Sequence, residues 1–303
     1  MKKFLILAAS IIACACSDPG LINDTTETNI GTSRAQQGEL DTLLTTVNSD
    51  AGESWLTLHP DGRTAVFGRH VDGFGDQRIY LTAWNGARWS IPDIAPFAAD
   101  LNERGARFSP DGKTVYFAST RPTSKGGTDD DWNIWSVTFN EAGSWGEPSP
   151  LTGINSSESD FHPSSSQDGS IYFGSRRAES VGESDMFVAQ RESLGWMIEP
   201  VSMLNTQYSE PDAFIAPNGD YVIFARTDAP GGFGGDDLYI SYSNERGWTD
   251  PENLGSSVNT EEYEYGAFVT ADGKTLFFTT WASGIAQIAT IQLEVLNLKQ
   301  GMD

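Results

Sequence analysis

The sequence predicts an all-β fold, a single β-propeller of five four-stranded blades. Three observations point to it. An Asp-Gly or Asn-Gly turn recurs at Asp61-Gly62, Asp111-Gly112, Asp168-Gly169, Asn218-Gly219 and Asp272-Gly273, with spacings of 50, 57, 50 and 54 residues. Each turn sits between short apolar runs, and Gly there tolerates the positive φ that a hairpin needs. The chain is rich in turn-forming and aromatic residues (Gly 31, Phe 16, Tyr 9, Trp 9) and carries no long helical period. Self-similarity at this period marks stacked repeats, and radial stacking of antiparallel sheets gives a propeller.

Taken in order, the chain begins with Lys2 and Lys3, an apolar run from Phe4 to Ala13, then Cys14-Ala15-Cys16. A basic start with a short apolar stretch reads as an export signal and is too short to span a bilayer. Ile11-Ile12-Ala13-Cys14 resembles the lipobox of bacterial lipoproteins, with Ala13-Cys14-Ala15-Cys16 a second, poorer match. The resemblance implies lipidation at Cys14 or Cys16 after removal of a signal peptide within residues 1–16. Neither cysteine is followed by Asp, which favours the outer membrane. Residues 17–38, rich in Thr, Asn, Asp and Ser, bury too little apolar surface to fold alone and read as a tether. Residues 39–303 form the propeller.

Within each repeat the hairpin's second strand is apolar: Ala65-Val66-Phe67, Val115-Tyr116-Phe117, Ile171-Tyr172-Phe173, Val222-Ile223-Phe224 and Leu276-Phe277-Phe278. A Gly- and Asp-rich loop and a third strand follow, as in Ile79-Tyr80-Leu81 and Leu238-Tyr239-Ile240. Four repeats then show Trp near Pro: Trp89 with Pro92, Trp145 with Pro148, Trp196 with Pro200 and Trp248 with Pro251. Pro suits an outer edge strand, where a missing N–H costs little. Asn stands 13 residues before the turn at Asn48, Asn155, Asn205 and Asn259. By that match, Glu39–Val47 is expected to be a fourth strand that completes the last blade and closes the ring. Phe108-Ser109-Pro110-Asp111-Gly112-Lys113-Thr114-Val115-Tyr116-Phe117, with Gly234-Gly235-Asp236-Asp237-Leu238-Tyr239, resembles the TolB-like propeller repeat, a relative of WD repeats. The stretch Asn253-Leu254-Gly255 through Val258-Asn259-Thr260 resembles its version in bacterial envelope lipoproteins. The resemblance implies a periplasmic or surface-facing envelope protein.

A carboxylate lies eight residues before every turn: Glu53, Glu103, Asp160, Glu210 and Glu264. If that position opens the innermost strand, the five acids ring a mouth of the central channel. Such a ring needs cations or donors, because like charges raise one another's pKa. Arg69, Arg121, Arg176 and Arg226 recur after the second strand, with Trp281 in the fifth repeat. Two readings follow: blade-locking pairs, or a ligand site at the channel mouth. Repetition in every blade favours a non-enzymatic scaffold for protein or ligand binding over a carbohydrate-active enzyme or glycan binder, which needs carboxylates in distinct environments. The expected partners are an envelope protein or a peptidoglycan-associated component, and the membrane through the lipid. A net charge of −23 argues against nucleic acid, which needs basic clusters. With just two cysteines, both at the N-terminus, the propeller has no thiolate chemistry, and His59, His70 and His162 share no metal-ligand spacing. No cofactor or metal is expected, with Ca²⁺ at the acidic loops as the alternative. The acidic loops Thr128–Asp131 and Gly235–Asp237 lack the EF-hand pattern for Ca²⁺ and read as turns.

Overall fold

The computed structural model describes residues 38–71, 75–123, 131–140 and 142–296. The lipobox cysteines Cys14 and Cys16, residues 17–37 and Thr128–Asp130 lie outside the described residues. The chain forms five antiparallel sheets in sequence order. Blade 1 comprises β1 (Glu53–Leu58), β2 (Thr64–His70), β3 (Gln77–Ala83) and β4 (Asp93–Ile94). Blade 2 comprises β5 (Glu103–Phe108), β6 (Thr114–Ser119), β7 (Asn133–Thr138) and β8 (Ser149–Pro150). Blade 3 comprises β9 (Asp160–Ser165), β10 (Ile171–Ser175), β11 (Asp185–Glu192) and β12 (Gly195–Pro200). Blade 4 comprises β13 (Ala213–Ile215), β14 (Tyr221–Thr227) and β15 (Asp236–Asn244), with its outer strand split into β16 (Gly247–Trp248) and β17 (Glu252–Asn253). Blade 5 has three strands, β18 (Glu264–Val269), β19 (Thr275–Thr280) and β20 (Gln287–Gln292).

The five repeated turns carry the predicted glycines in the left-handed region, with φ from 70° at Gly273 to 86° at Gly169. In the clearest copy the Gly112 N–H donates to Ser109 O, and Asp111 accepts from both the Ser109 hydroxyl and the Lys113 N–H. Asp is therefore chosen for its side-chain acceptor and Gly for its φ. The second and third strands are apolar on both faces because a neighbouring blade covers each face. One cluster joins Val66 and Ile79 of blade 1 to Phe108, Phe117 and Trp135 of blade 2. Equivalent clusters join blades 2 and 3, 3 and 4, and 4 and 5.

Residues 38–47 correct one expectation: they form a helix, not a fourth strand. Leu40, Leu43, Leu44 and Val47 recur at the helical 3–4 spacing, and that periodicity prevails over the β-branched residues that suggested a strand. Leu43 and Val47 are fully buried. The closure itself survives by another device. The Asn48 side chain donates to Ile288 O at 2.8 Å and accepts from Ile288 N–H at 2.9 Å, binding β20 as a strand residue would. Asn155 does the same to Ile134, Asn205 to Met186 and Asn259 to Leu238. The recurring Asn is thus a clasp between consecutive blades, and Asn48 is the copy that joins blade 5 to the start of blade 1.

Candidate functional site

The five acids lie where the inner strands begin and are fully buried. Four of them open β1, β5, β9 and β18; Glu210 stands just before β13, where Pro211 offers no N–H to the ladder. Each carboxylate is held inside its own blade. Arg69 reaches Glu53 at 2.7 Å, Arg121 reaches Glu103 at 2.6 Å, Arg177 reaches Asp160 at 2.7 Å and Arg226 reaches Glu210 at 2.7 Å. In blade 3 the partner is Arg177; its neighbour Arg176 instead lies 3.5 Å from Glu183 at the surface. In blade 5 the Thr280 hydroxyl donates to Glu264 at 2.6 Å. Each Arg also reaches a backbone carbonyl before the acid, as Arg69 does to Val47 O and Arg226 to Leu204 O. The guanidinium lies between aromatic rings of the second and third strands, for example 5.3 Å from the Phe224 centroid and 5.1 Å from that of Tyr239. Burial pushes the Glu103 and Glu210 carboxyls up, and their Arg partners pull the other way. All five acids are buried and bonded within their own blades, by an Arg set between two rings in blades 1 to 4 and by Thr280 in blade 5.

One and two residues beyond each acid the blades cease to resemble one another. The pairs are Ser54-Trp55, Arg104-Gly105, Phe161-His162, Pro211-Asp212 and Tyr265-Gly266. Four of the five second positions take positive φ: Trp55 (53°), Gly105 (62°), His162 (50°) and Gly266 (68°). The register of β1, β5, β9 and β18 shifts just beyond this point. A bulge of this kind re-aims side chains, and here it sends them to the propeller axis. The two glycines leave the room. A Cβ on Gly105 would meet the His162 ring at 2.9 Å, and one on Gly266 would meet Trp55 Cδ1 at 3.2 Å.

On the axis Trp55 and His162 stack with centroids 4.6 Å apart. Asp212, buried, accepts from Trp55 Nε1 at 2.7 Å, Gly266 N–H at 2.7 Å and Arg107 Nη2 at 3.2 Å. Arg107 also donates to Ala267 O at 2.6 Å. Burial pushes the Asp212 carboxyl up, and His162 and Arg107, followed by the Trp55 and Gly266 hydrogen bonds, bring it below the usual carboxylate range. His162 is kept neutral, its pKa brought down to about 4 by burial first of all. On the side where the inner strands begin, Arg104 lies over Trp132 at 4.0 Å, and Trp281 Nε1 donates to Tyr265 OH at 3.0 Å. Asp236 stands on the same side, its carboxyl raised to about 6 by burial. Tyr263 and Phe233 project from neighbouring loops, about half exposed, and Gly235 N–H ties those loops together through Glu262 O at 2.7 Å. At the opposite end of the bore a small cavity is lined by Thr57, Arg107, Ser164, Ser165, Phe214 and Phe268, among others.

None of the axial residues stands out by motif. Their signal is variation: they follow an acid present in every repeat, yet differ in each. The Asp237 carboxylate accepts from Phe233 and Gly234 N–H groups and from Asn253 Nδ2, which is turn chemistry. Among the described residues no group of three or more His, Cys, Asp or Glu is placed to hold a metal ion.

No protein-family model matches the chain, and no curated protein matches it. Solved structures do. A protein described as TolB from Agrobacterium tumefaciens is 21% identical, covers 77% of this chain and 73% of its own, and superposes with a TM-score of 0.47. A protein of unknown function from Dyadobacter fermentans is 16% identical, with 81% and 80% covered and a TM-score of 0.49. Hydrazine synthase from Kuenenia stuttgartiensis is 12% identical, with 83% of this chain and 38% of that one covered and a TM-score of 0.51. At these identities the likeness to the hydrazine synthase structure is one of fold alone, and the five blades are read from this chain's own sheets.

Proposed function

We propose that this chain is a non-enzymatic envelope protein, anchored by a lipid at Cys14 or Cys16, whose propeller offers its axial mouth as a docking face for an envelope protein or a peptidoglycan-associated component. One observation carries the reading: the acids repeated in every blade are consumed by blade-locking pairs, while the residues that differ between blades converge on the axis. Repetition builds the frame and variation builds the face. The exposed rings of Tyr263 and Phe233 on that side suit a protein partner, since aromatic residues are enriched in interface cores.

A photo-crosslinker at Tyr263, in cells carrying the full chain, tests the docking face. A discrete adduct is expected there and none with the crosslinker at Leu194, which is fully exposed on the outer hairpin of blade 3. Equal adducts at both places, or none at Tyr263, would sink the reading. Incorporation of labelled fatty acid, lost in Cys14→Ala or Cys16→Ala, tests the anchor. A glycan-binding reading has one observation in its favour: Thr57, Ser164, Ser165, Phe214 and Phe268 all line the far cavity, a mixture of hydroxyls and rings that suits a sugar. Binding or cleavage of an envelope polysaccharide by the purified chain would favour it.

A further inference from the structure

Arg104 is the exception among the inward-facing arginines. Arg69, Arg121, Arg177 and Arg226 each hold a blade acid, and Arg107 holds Asp212. Arg104, paired through its backbone with Ala118, has no carboxylate, carbonyl or hydroxyl acceptor among the described residues, and its Nε is buried without a partner. Trp132 covers the guanidinium at 4.0 Å, with Trp55 at 5.8 Å and Phe161 at 6.0 Å. Stacked rings cover the faces of a guanidinium and leave its N–H edges free, the geometry that receives a planar carboxylate in two parallel hydrogen bonds.

The surroundings favour an anion from outside the chain. Tyr265 and, more weakly, Asp212 act on Arg104 through their charge, and Asp212 already has Trp55, Arg107 and Gly266 as donors. Arg176 adds a second positive charge, and burial lowers the Arg104 pKa to about 10, the mark of a cation without full compensation. Arg104 is half-buried, so part of its side chain stands open at the mouth while its Nε is covered.

We infer that the axial mouth binds a carboxylate, anchored by Arg104, with Trp132, Trp55 and Phe161 as walls for the apolar group beside it. The inference rests on the mouth being a binding face and gives the chemistry of what binds. The carboxylate can come from the C-terminus of a peptide or from a small organic acid, and the two probes below separate these sources.

Purified full-length chain is titrated with N-acetyl-glycyl-phenylalanine, with its C-terminal carboxamide, and with glutarate, and tryptophan fluorescence is read because Trp132 and Trp55 lie against the guanidinium. Saturable change is expected with the free-acid peptide, with glutarate, or with both; the first alone identifies a peptide terminus, glutarate alone a small acid. The carboxamide is expected to bind at least about tenfold more weakly than the free acid, the scale of a charge-assisted pair. Arg104→Gln should lose carboxylate binding by a similar factor, and Arg104→Lys should retain part of it. If Arg104→Gln fails to fold, the acid-against-amide comparison on the unaltered chain still decides. Equal binding of acid and amide, unchanged binding by the folded Arg104→Gln protein, or no saturable change with either carboxylate at millimolar concentration would overturn the site. A partner crosslinked at Tyr263 with no carboxylate dependence would overturn the Arg104 site and leave the docking face standing; carboxylate binding without any crosslinked partner would do the reverse.

Discussion

At the scale of single residues, the acid–Arg pairs and the axial cluster make opposite uses of buried charge. Removing one partner of a buried pair leaves an uncompensated charge, which costs about 3–5 kcal/mol. Arg226→Ala is therefore expected to destabilise the fold by that order through stranded Glu210, and Glu210→Gln by less, because a neutral amide still hydrogen-bonds. Urea denaturation of both variants checks this; equal midpoints for Arg226→Ala and the unaltered chain would refute the locking role. The axis also dictates a pH response. His162, with its pKa at about 4 against 6.5 when free, adds stability that is present above pH 6.5 and lost as pH falls toward 4, a loss of about 3 kcal/mol when complete. Asp236, with its carboxyl at about 6 against 3.8, has the opposite sign: its contribution is present below pH 3.8 and lost as pH rises through 6. The two offset each other between about pH 4 and 6. Asp236→Asn should unmask the His162 effect, so that its stability falls more steeply than that of the unaltered chain from pH 6.5 to 4. Parallel pH profiles for the two proteins would contradict this assignment. The acids were legible in the sequence because they repeat at a fixed distance from a turn. The axial residues were not, because each occurs once and acquires its partners from other blades.

At the scale of elements, the Asn clasp shows how a side chain can stand in for a strand. Its amide presents one donor and one acceptor at the spacing of a backbone peptide group, so Asn205 satisfies both Met186 N–H and C=O. Asn48 performs this role at the ring closure, beside the Glu53 N–H bond to Ala286 O. Asn48→Ala should cost about 1–3 kcal/mol through the unpaired groups of Ile288 and speed hydrogen exchange at the β20 amides selectively. Uniform exchange rates along the chain would argue that closure lies elsewhere. Gly105→Ala tests the axial bulge in the same manner. With φ at 62° and His162 only 2.9 Å from the new Cβ, the His162–Trp55 stack has to shift, and a loss of about 2 kcal/mol is expected in a denaturant titration. The strand order and the hairpins could be read from the sequence. The helix over 38–47 was misread because a short run of Leu, Thr and Val satisfies either period, and a position match to Asn259 favoured the strand.

At the scale of the propeller, equivalence and difference divide the labour. Interblade clusters of Val, Ile and Phe, the clasps and the acid pairs recur, and the stacking of each blade on the next follows from them. The axis is the one place where all five inner strands meet, so any residue that varies there sits beside four others that vary as well. This is the physical reason the binding chemistry is asymmetric on a symmetric frame. The carboxylate test at Arg104 belongs to this scale, since its walls come from blades 1, 2 and 3.

The sequence by itself determined the all-β class, the five repeats, the turn glycines, the clasping Asn residues and the five acids, because each depends on a local pattern that repetition makes visible. Tertiary structure alone decided that the acids are buried and bonded within their blades, that residues 38–47 form a helix with Asn48 clasping blade 5, and that Arg104 stacks on Trp132 with no hydrogen-bond acceptor among the described residues. Those outcomes depend on which side chains from distant blades share one axis, and no spacing along the chain encodes that distance.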